Sequence, residues 1–315
     1  MCSVDALAIK ERALSEGFDK VGIVRAEPLD HERPQLKEWL ARGYHGEMAW
    51  MARDVEKRLD PRKLFAQARS VVVVALNYYT PDQHQENLEA GKVSRYAWGD
   101  DYHDVLKTKL ESLLAWICER EPGAAGKVCV DIQPTMDKAW AVRAGIGWLG
   151  KHTNVITTEF GSWVFIGELL LNLDLEPDTE PFEDHCGTCT LCIEACPTQA
   201  ITEPYVVDSN KCISYATIEL RAPELPPRVQ EGLSGWLYGC DICQDVCPWN
   251  RFEEVTNESR FAPREGNVNA DLGGVLELTP EAYAARFRGS AMKRAKLAGL
   301  QRNARALLSQ TSLRD

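Results

Sequence analysis

The sequence predicts an α/β domain over residues 1–180, a small cysteine-rich domain over 181–258 and a short helical element over 259–315. Three observations carry this. Strand-like and helix-like segments alternate through the first 180 residues. Within them, Ser70-Val-Val-Val-Val-Ala-Leu76 is apolar and β-branched without polar alternation, which marks a central strand covered on both faces. Eight of the eleven cysteines then fall in one window from Cys186 to Cys247.

Taken in order, Ser3 to Glu16 has Leu7, Ala8 and Leu14 spaced for one face of a helix, with Gly17 to close it. Lys20 to Val24 is a short strand. Pro34 to Arg42 is a second helix, entered at a proline and stopped at Gly43. Gly46 to Arg58, rich in Met and Trp, predicts a third helix whose large side chains serve the core. After the central strand, polar Asp82 to Lys92 predicts a loop. Asp100 or Asp101 caps a long helix to about Glu119, with Val105, Leu106, Leu110, Leu113, Leu114 and Ile117 inward. Lys127 to Asp131 is a strand and Pro134 to Ala144 a helix. Thr153 to Thr158 and Ser162 to Leu171 are strands, with a hairpin expected at Glu159-Phe160-Gly161. The acidic, proline-containing stretch Glu176 to Asp184 links to the cysteine window.

The cysteines read Cys186-x2-Cys189-x2-Cys192-x3-Cys196-Pro197, then Cys212, then Cys240-x2-Cys243-x3-Cys247-Pro248. In this ferredoxin-like spacing three thiolates hold one 4Fe–4S cluster and the fourth, before proline, reaches to the other. One cluster is therefore assigned to Cys186, Cys189, Cys192 and Cys247, the second to Cys196, Cys212, Cys240 and Cys243. A Cys-x2-Cys turn points two sulfurs into one concavity and leaves N–H groups free to face a negatively charged cluster. A zinc ribbon needs four thiols and leaves the other four unexplained. Disulfides require export. Two adjacent clusters conduct electrons, and the long segment before them is expected to hold the redox centre they feed.

With 315 residues, 44% of them apolar, the chain is long enough for a sizeable core. Its longest apolar runs, Val71–Leu76 and Trp163–Leu171, are too short to cross a bilayer. The N-terminus lacks a leader pattern, so a cytoplasmic protein with reduced thiols and no membrane contact is expected. Net charge is −11, yet from Arg286 to Asp315 eight Lys or Arg face one Asp, leaving +7 there and −18 elsewhere. Such a run is either a local anion-binding surface or a solvated helix face.

Two motifs need weighing. Gly145-Ile-Gly147-Trp-Leu-Gly150 satisfies G-x-G-x-x-G, but a helix precedes it and strands follow, the reverse of a dinucleotide fingerprint. A tight loop approaching a cofactor is the better expectation. Asp101-Tyr102-His103 begins the Asp-x-His-x-x-Gly pattern that brings a histidine to cobalamin cobalt, but Leu106 stands where glycine is required.

Arg95-Tyr-Ala-Trp-Gly-Asp-Asp-Tyr-His-Asp-Val-Leu106, Val130-Asp131, Ala144-Gly-Ile-Gly147, Lys151 and the cysteine pattern with Tyr238-Gly-Cys-Asp241 together resemble the epoxyqueuosine reductases, from about residue 4 onward. The resemblance implies a cobalamin-binding α+β domain beside two 4Fe–4S clusters. It also implies removal of the epoxide oxygen from epoxyqueuosine at the wobble position of tRNA, the last step of queuosine synthesis. By analogy electrons pass through the clusters to the cobalt, and a carboxylic acid protonates the departing oxygen. The matching acid is Asp131, whose pKa would have to be raised by burial beside the corrin; without the resemblance it reads as a loop aspartate capping the turn before Pro134. Implied cobalamin contacts are Arg58, Ser94, Asp131, Lys138, Val155, Ile166, Ser214, Gly239 and Asp241, of which Arg58 and Lys138 equally suit surface ion pairs. The run Asp131-Ile-Gln-Pro134 departs from the small residues common after the acid in this family.

The implied partners are tRNAs for Tyr, His, Asn and Asp and an external low-potential electron donor, with the protein a monomer. The cationic stretch Gly289 to Leu308 then suits phosphate contact beside a base drawn out of its stack. Two other functions fit the same plan: a cobalamin-dependent reductive dehalogenase, and a ferredoxin-type electron-transfer protein without cobalt.

Overall fold

A four-stranded sheet runs through the N-terminal half of the computed structural model, which describes residues 4–178 and 182–311. Ser3, three residues of the expected linker (179–181) and Arg314 lie outside the described residues. The strands preceding the cysteine window are β1 (Lys20–Arg25), β2 (Ser70–Asn77), β3 (Ala90–Val93), β4 (Gly126–Cys129), β5 (Trp148–Leu149), β6 (Val155–Ile156) and β7 (Val164–Leu171). The main sheet has the order β1-β2-β7-β4 with every pair antiparallel. All eight residues of β2 are buried, as expected of a strand covered on both sides. Val72, Val74 and Leu76 face one hydrophobic cluster while Val71, Val73 and Ala75 face another. Burying one such side chain is worth about 1.5–3 kcal/mol, so the strand anchors both layers.

The helices on the two faces are α1 (Ala6–Ser15), α2 (Arg33–Ala41), α3 (Trp50–Arg53), α4 (Val55–Leu59), α5 (Tyr102–Arg120) and α6 (Asp137–Arg143). In α1, Asp5 accepts the Ala8 N–H at 2.8 Å and Gly17, at φ +86°, ends the segment. Its buried face is Ile9 and Ala13, whereas Leu7 and Leu14 are 63% and 50% exposed. The expected apolar stripe was the wrong one: Ile9 and Ala13 pack into the core shared with Ile23 and Val72. In α5 the cap is Asp101, and Val105, Leu106, Leu110, Leu113 and Ile117 are buried as expected. Gly46–Arg58 is not one helix: Asp54 leaves helical geometry (φ −120°, ψ 41°) and divides α3 from α4. The expected helix from Pro134 starts only at Asp137.

The expected hairpin is also replaced. The Thr157 N–H meets Gly161 O at 2.7 Å, a single bridge, while β6 pairs with β5 and β7 enters the main sheet. Gly147 permits this, since a Cβ there would stand 2.0 Å from Ile156 O. At Gly147 the Gly-rich loop thus serves strand-to-strand approach.

Through the cysteine window run short helices α7 (Leu191–Glu194), α8 (Ile213–Ile218), α9 (Pro227–Glu231) and α10 (Ile242–Asp245), a ribbon of β8 (Ile201–Glu203) and β9 (Val206–Val207), and strand β10 (Trp236–Tyr238). β11 (Asn269–Asp271) follows, then α11 (Leu272–Glu277), α12 (Pro280–Arg286) and α13 (Lys296–Thr311). β3, inside the segment expected as loop, pairs parallel with β10 and antiparallel with β11. One sheet thus takes a strand from each of the three segments, and a third core around Trp98, Tyr238, Phe287 and Leu300 does the same.

The cations of the C-terminal segment are not all free for anions. Arg302 is buried and donates to the carbonyls of Leu220 and Ala222, both at 2.9 Å, and of Ala216 at 2.6 Å. Arg294 makes a two-pronged pair with Glu219 at 2.8 and 2.9 Å. Lys293, Lys296 and Arg305 are exposed, with no ion pair among the described residues. No described helix is long and apolar enough to cross a membrane.

Candidate active site

A cavity of about 440 Å³ opens where the main sheet meets the cysteine segment. Cys196, Cys212, Cys240 and Cys243 line one side; Tyr102, Asp131, Asp137 and Lys138 line another, with Tyr78, Tyr96, Val155, Val164, Phe165 and Ile166 forming apolar wall.

The eight thiols of the window lie near one another, Cys243 close to Cys212, Cys192 and Cys196. Burial and then the facing Cys247, Cys186 and Cys189 push Cys192 up to about 11. Cys247 is raised by burial and by Cys186 and Cys189. Burial raises Cys240, with Cys243 and Cys212 adding to it, and raises Cys212 with Cys196 beside it. Neutral thiols crowded this way give up their protons only to a strong positive charge, which iron supplies. Backbone N–H groups point at the sulfurs: Ala200 N–H reaches Cys196 Sγ at 3.2 Å, and Ser214 and Tyr215 lie on Cys212. All ten described cysteines are free. All-thiolate donors of this kind would suit iron–sulfur clusters, and four of them, Cys196, Cys212, Cys240 and Cys243, line the cavity.

The opposite side is built by the loop after β4. Asp131 adopts φ +53°, the left-handed region disfavoured for a residue with a Cβ, so the backbone is strained where the carboxyl enters the cavity. Tyr102 O–H donates to Asp131 Oδ2 at 2.6 Å, and His103 Nε2 lies 3.4 Å from the same oxygen. On its other side His103 Nδ1 meets Asp101 Oδ1 at 2.6 Å. Both partners come from the first turn of α5. The Asp131 side chain remains 57% exposed, open on its cavity side.

The expected raised pKa of Asp131 is not found. Burial pushes its carboxyl up, but the bonds from His103 and Tyr102 and the charges of His103 and Lys138 overrule this and hold it below the ordinary carboxylate value. Burial pulls His103 down, and Asp101 and Asp131 more than reverse it, to about 9. In the open site the proton therefore sits on the imidazole, and Asp131 is its ionised neighbour.

Ser94, Asp131, Lys138, Val155, Ile166, Ser214 and Asp241 all line the cavity, as the sequence reading placed them together; Arg58 and Gly239 do not. Arg58 is buried and donates to Thr135 O at 3.3 Å and Trp50 O at 3.2 Å, so it braces the Asp131–Asp137 loop and is no surface ion pair. Gly239, at φ +70°, lets β10 close on Ser94, where a Cβ would stand 2.4 Å from the serine Cβ. Lys138 Nζ donates to Asn154 Oδ1 at 2.9 Å, again not an ion pair. Asp241 is buried and accepts from Ser94 O–H at 2.5 Å and Arg95 N–H at 2.7 Å, tying the cysteine segment to the N-terminal half.

Sequence reading missed Tyr102, His103, Asp137 and His152. Asp101-Tyr102-His103 was weighed only as a failed cobalt motif; its real signal was a Tyr-His pair at the start of a capped helix. His152 lines the cavity with its Nε2 buried and unpartnered, and burial, with the Lys138 charge, pulls its pKa to about 4, leaving a neutral ring nitrogen for a bound group.

Residues 58–132 match the family model described as "Epoxyqueuosine reductase QueG, DUF1730", and residues 185–250 match a 4Fe-4S double cluster binding domain. An epoxyqueuosine reductase of Synechocystis sp. is 51% identical over 280 residues, covering 89% of this chain and 96% of that protein. One from Cellulophaga algicola is 47% identical, covering 94% and 95%. Among solved structures, an epoxyqueuosine reductase with a tRNA-Tyr epoxyqueuosine-modified stem loop superposes with a TM-score of 0.89 at 32% identity, covering 96% of this chain and 80% of that one. A Bacillus subtilis structure, with its catalytic aspartate loop swung out of the active site, superposes at 0.88 with the same identity and coverage. This chain, an oxidoreductase with a double iron–sulfur domain, belongs to the epoxyqueuosine reductase family.

Proposed function

We propose that the protein reduces epoxyqueuosine to queuosine in tRNA, with Asp131 delivering a proton to the epoxide oxygen and the clusters delivering electrons from the other side of the cavity. The observation that carries this is the cavity itself, whose lining includes both Asp131 and the cysteines Cys196, Cys212, Cys240 and Cys243. A carboxyl alone or a cluster alone serves many reactions; an acid and an electron outlet facing one enclosed space serve reductive loss of oxygen.

The residues fit cobalamin: apolar and aromatic wall for a flat macrocycle, the unpartnered His152 Nε2, and Lys138, Ser94, Ser214 and Asn154 at polar positions. Bound there, a corrin cobalt supplies a strong low-potential reductant next to the clusters. The protein's own part is proton handling and placement. Tyr102 and His103 orient the Asp131 carboxylate, and His103, charged at neutral pH, recharges Asp131 along the bond between them. The substrate base enters splayed from its stack, with Lys293, Lys296 and Arg305 available to phosphates. In this reading residues 1–180 bind the corrin, 181–258 hold the clusters and 259–315 reach the tRNA, while a low-potential donor reduces the clusters from outside.

Anaerobically reconstituted protein given cobalamin, a chemical reductant and tRNA bearing epoxyqueuosine should yield queuosine in the digested tRNA. Epoxyqueuosine left intact by protein with full clusters rejects the reading.

A further inference from the structure

Glu168, in the middle of β7, has no solvent exposure, and no cation or backbone N–H among the described residues pairs with its carboxylate. A lone carboxylate in such a place costs several kcal/mol, so it is kept only as a neutral acid or for a purpose. Its strand neighbours in register are Cys129 of β4 and Val73 of β2. Alternation along β7 puts Glu168 on the face of Ile166 and Leu170, the α6 side. The carboxyl group it meets there is Asp137, first residue of α6, which also accepts the Thr135 hydroxyl and lines the cavity beside Asp131. Asp131 and Asp137 both line the cavity, and Glu168 lies in the core on the α6 side of the sheet.

Converting an epoxide to an alkene consumes two electrons and two protons and releases one water: one proton goes to the oxygen as the first C–O bond breaks, and the second lets that oxygen leave with the other bond. The clusters account for electrons. The Asp131–His103 pair carries one dissociable proton. On the proposed function given above, a second is still required in a cavity closed by its substrate.

We propose that Glu168 and Asp137 together hold this second proton and pass it through Asp137 to Asp131 once Asp131 has given up its first. That one proton passes from Glu168 to Asp137 and on to the Asp131 carboxylate, and two protons return from solvent when product leaves, one to His103 and one to Glu168. Both groups are positioned to act through Asp131 and neither touches the substrate. Their titration fits: burial raises Glu168 well above the usual range with Asp137 adding to it, and burial then Asp131 raise Asp137. The other groups facing the pair are Cys129, itself pushed up to about 12 by burial and Glu168, and the cations Arg58 and Lys138, whose charges Asp137 favours.

The test uses the full chain with clusters loaded, with Glu168→Gln and Asp137→Asn as variants. Infrared spectra at neutral pH should contain a protonated-carboxyl band that shifts in heavy water, disappears in E168Q and moves in D137N, with cluster absorbance unchanged. In turnover, E168Q should lower kcat roughly 10- to 100-fold at constant KM for tRNA. The alkaline limb of the wild-type pH profile, where Glu168 gives up its proton, should be absent from E168Q, because burial and Asp137 raise that carboxyl and the amide cannot titrate. No such band in the wild type, or an E168Q enzyme with unmoved kcat and pH limb, overturns the proposal. Should E168Q fail to load clusters, D137N carries both readouts. A wild type that shows the band but makes no queuosine sinks the proposed function and leaves the proton pair standing.

Discussion

The two sides of the cavity are built on opposite plans. On the cysteine side four of the eight thiols of one 62-residue window line the cavity, held in place by turns whose spacing is written along the chain. On the acid side the titratable groups come from separate elements: Asp101, Tyr102 and His103 at the start of α5, Asp131 and Asp137 after β4, and buried Glu168 within β7. Cluster ligation tolerates a local code because iron supplies the energy and draws in whichever thiolates lie within reach. A proton donor has no such external partner; its pKa is a sum over neighbours that only folding assembles.

That contrast predicts different failures on each side. Cys243→Ala should abolish turnover and remove about four of about eight irons, a loss read by iron analysis; retention of all iron would show that the thiol sets are misassigned. Asp131→Asn should lower kcat by about 10²–10⁴-fold while leaving iron content and cobalamin binding unchanged, so that damage to the acid side leaves the cluster side intact. Loss of cluster absorbance in that variant would mean the two sides are not separable.

His103→Gln tests whether the acid side is an electrostatic unit. His103 is raised from 6.5 to about 9, so the stability it contributes is complete below pH 6.5 and is lost as pH rises toward 9. The wild type should therefore weaken across that window by about 1–2 kcal/mol, a figure already reduced for the solvent-open side of Asp131, and H103Q should be flat there in denaturant titrations. Asp131 works in the opposite sense: its contribution is present above 3.8 and fades as pH falls below it. The smallest effect belongs to the outer cations. Lys293→Ala with Lys296→Ala should weaken tRNA binding roughly threefold to tenfold and reduce its salt dependence. Arg294→Ala should change binding less, because Glu219 already occupies that guanidinium.

Much of the fold was legible. The central strand, the capped long helix and the strand leading to Asp131 follow from apolar run, cap residue and length. The misses share a cause. The Leu7–Leu14 stripe, the single helix at Gly46–Arg58 and the hairpin at Glu159-Phe160-Gly161 are all choices that local pattern leaves nearly even and that packing decides. β3 is the clearest case: Ala90–Val93 has little strand character of its own and becomes one because β10 and β11, well over a hundred residues away, offer it two sets of hydrogen bonds. Glu168 went unnoticed as a charged residue inside an apolar run, where its meaning depends on what lies across the sheet.

Spacing between neighbouring residues was enough to mark residues 186–247 as a double iron–sulfur segment, since a thiolate's reach is set by a few backbone bonds on either side. Whether Asp131 carries its proton was decided only when α5 came down beside the loop, because hydrogen bonds and burial act over ångströms of space and are blind to distance along the chain.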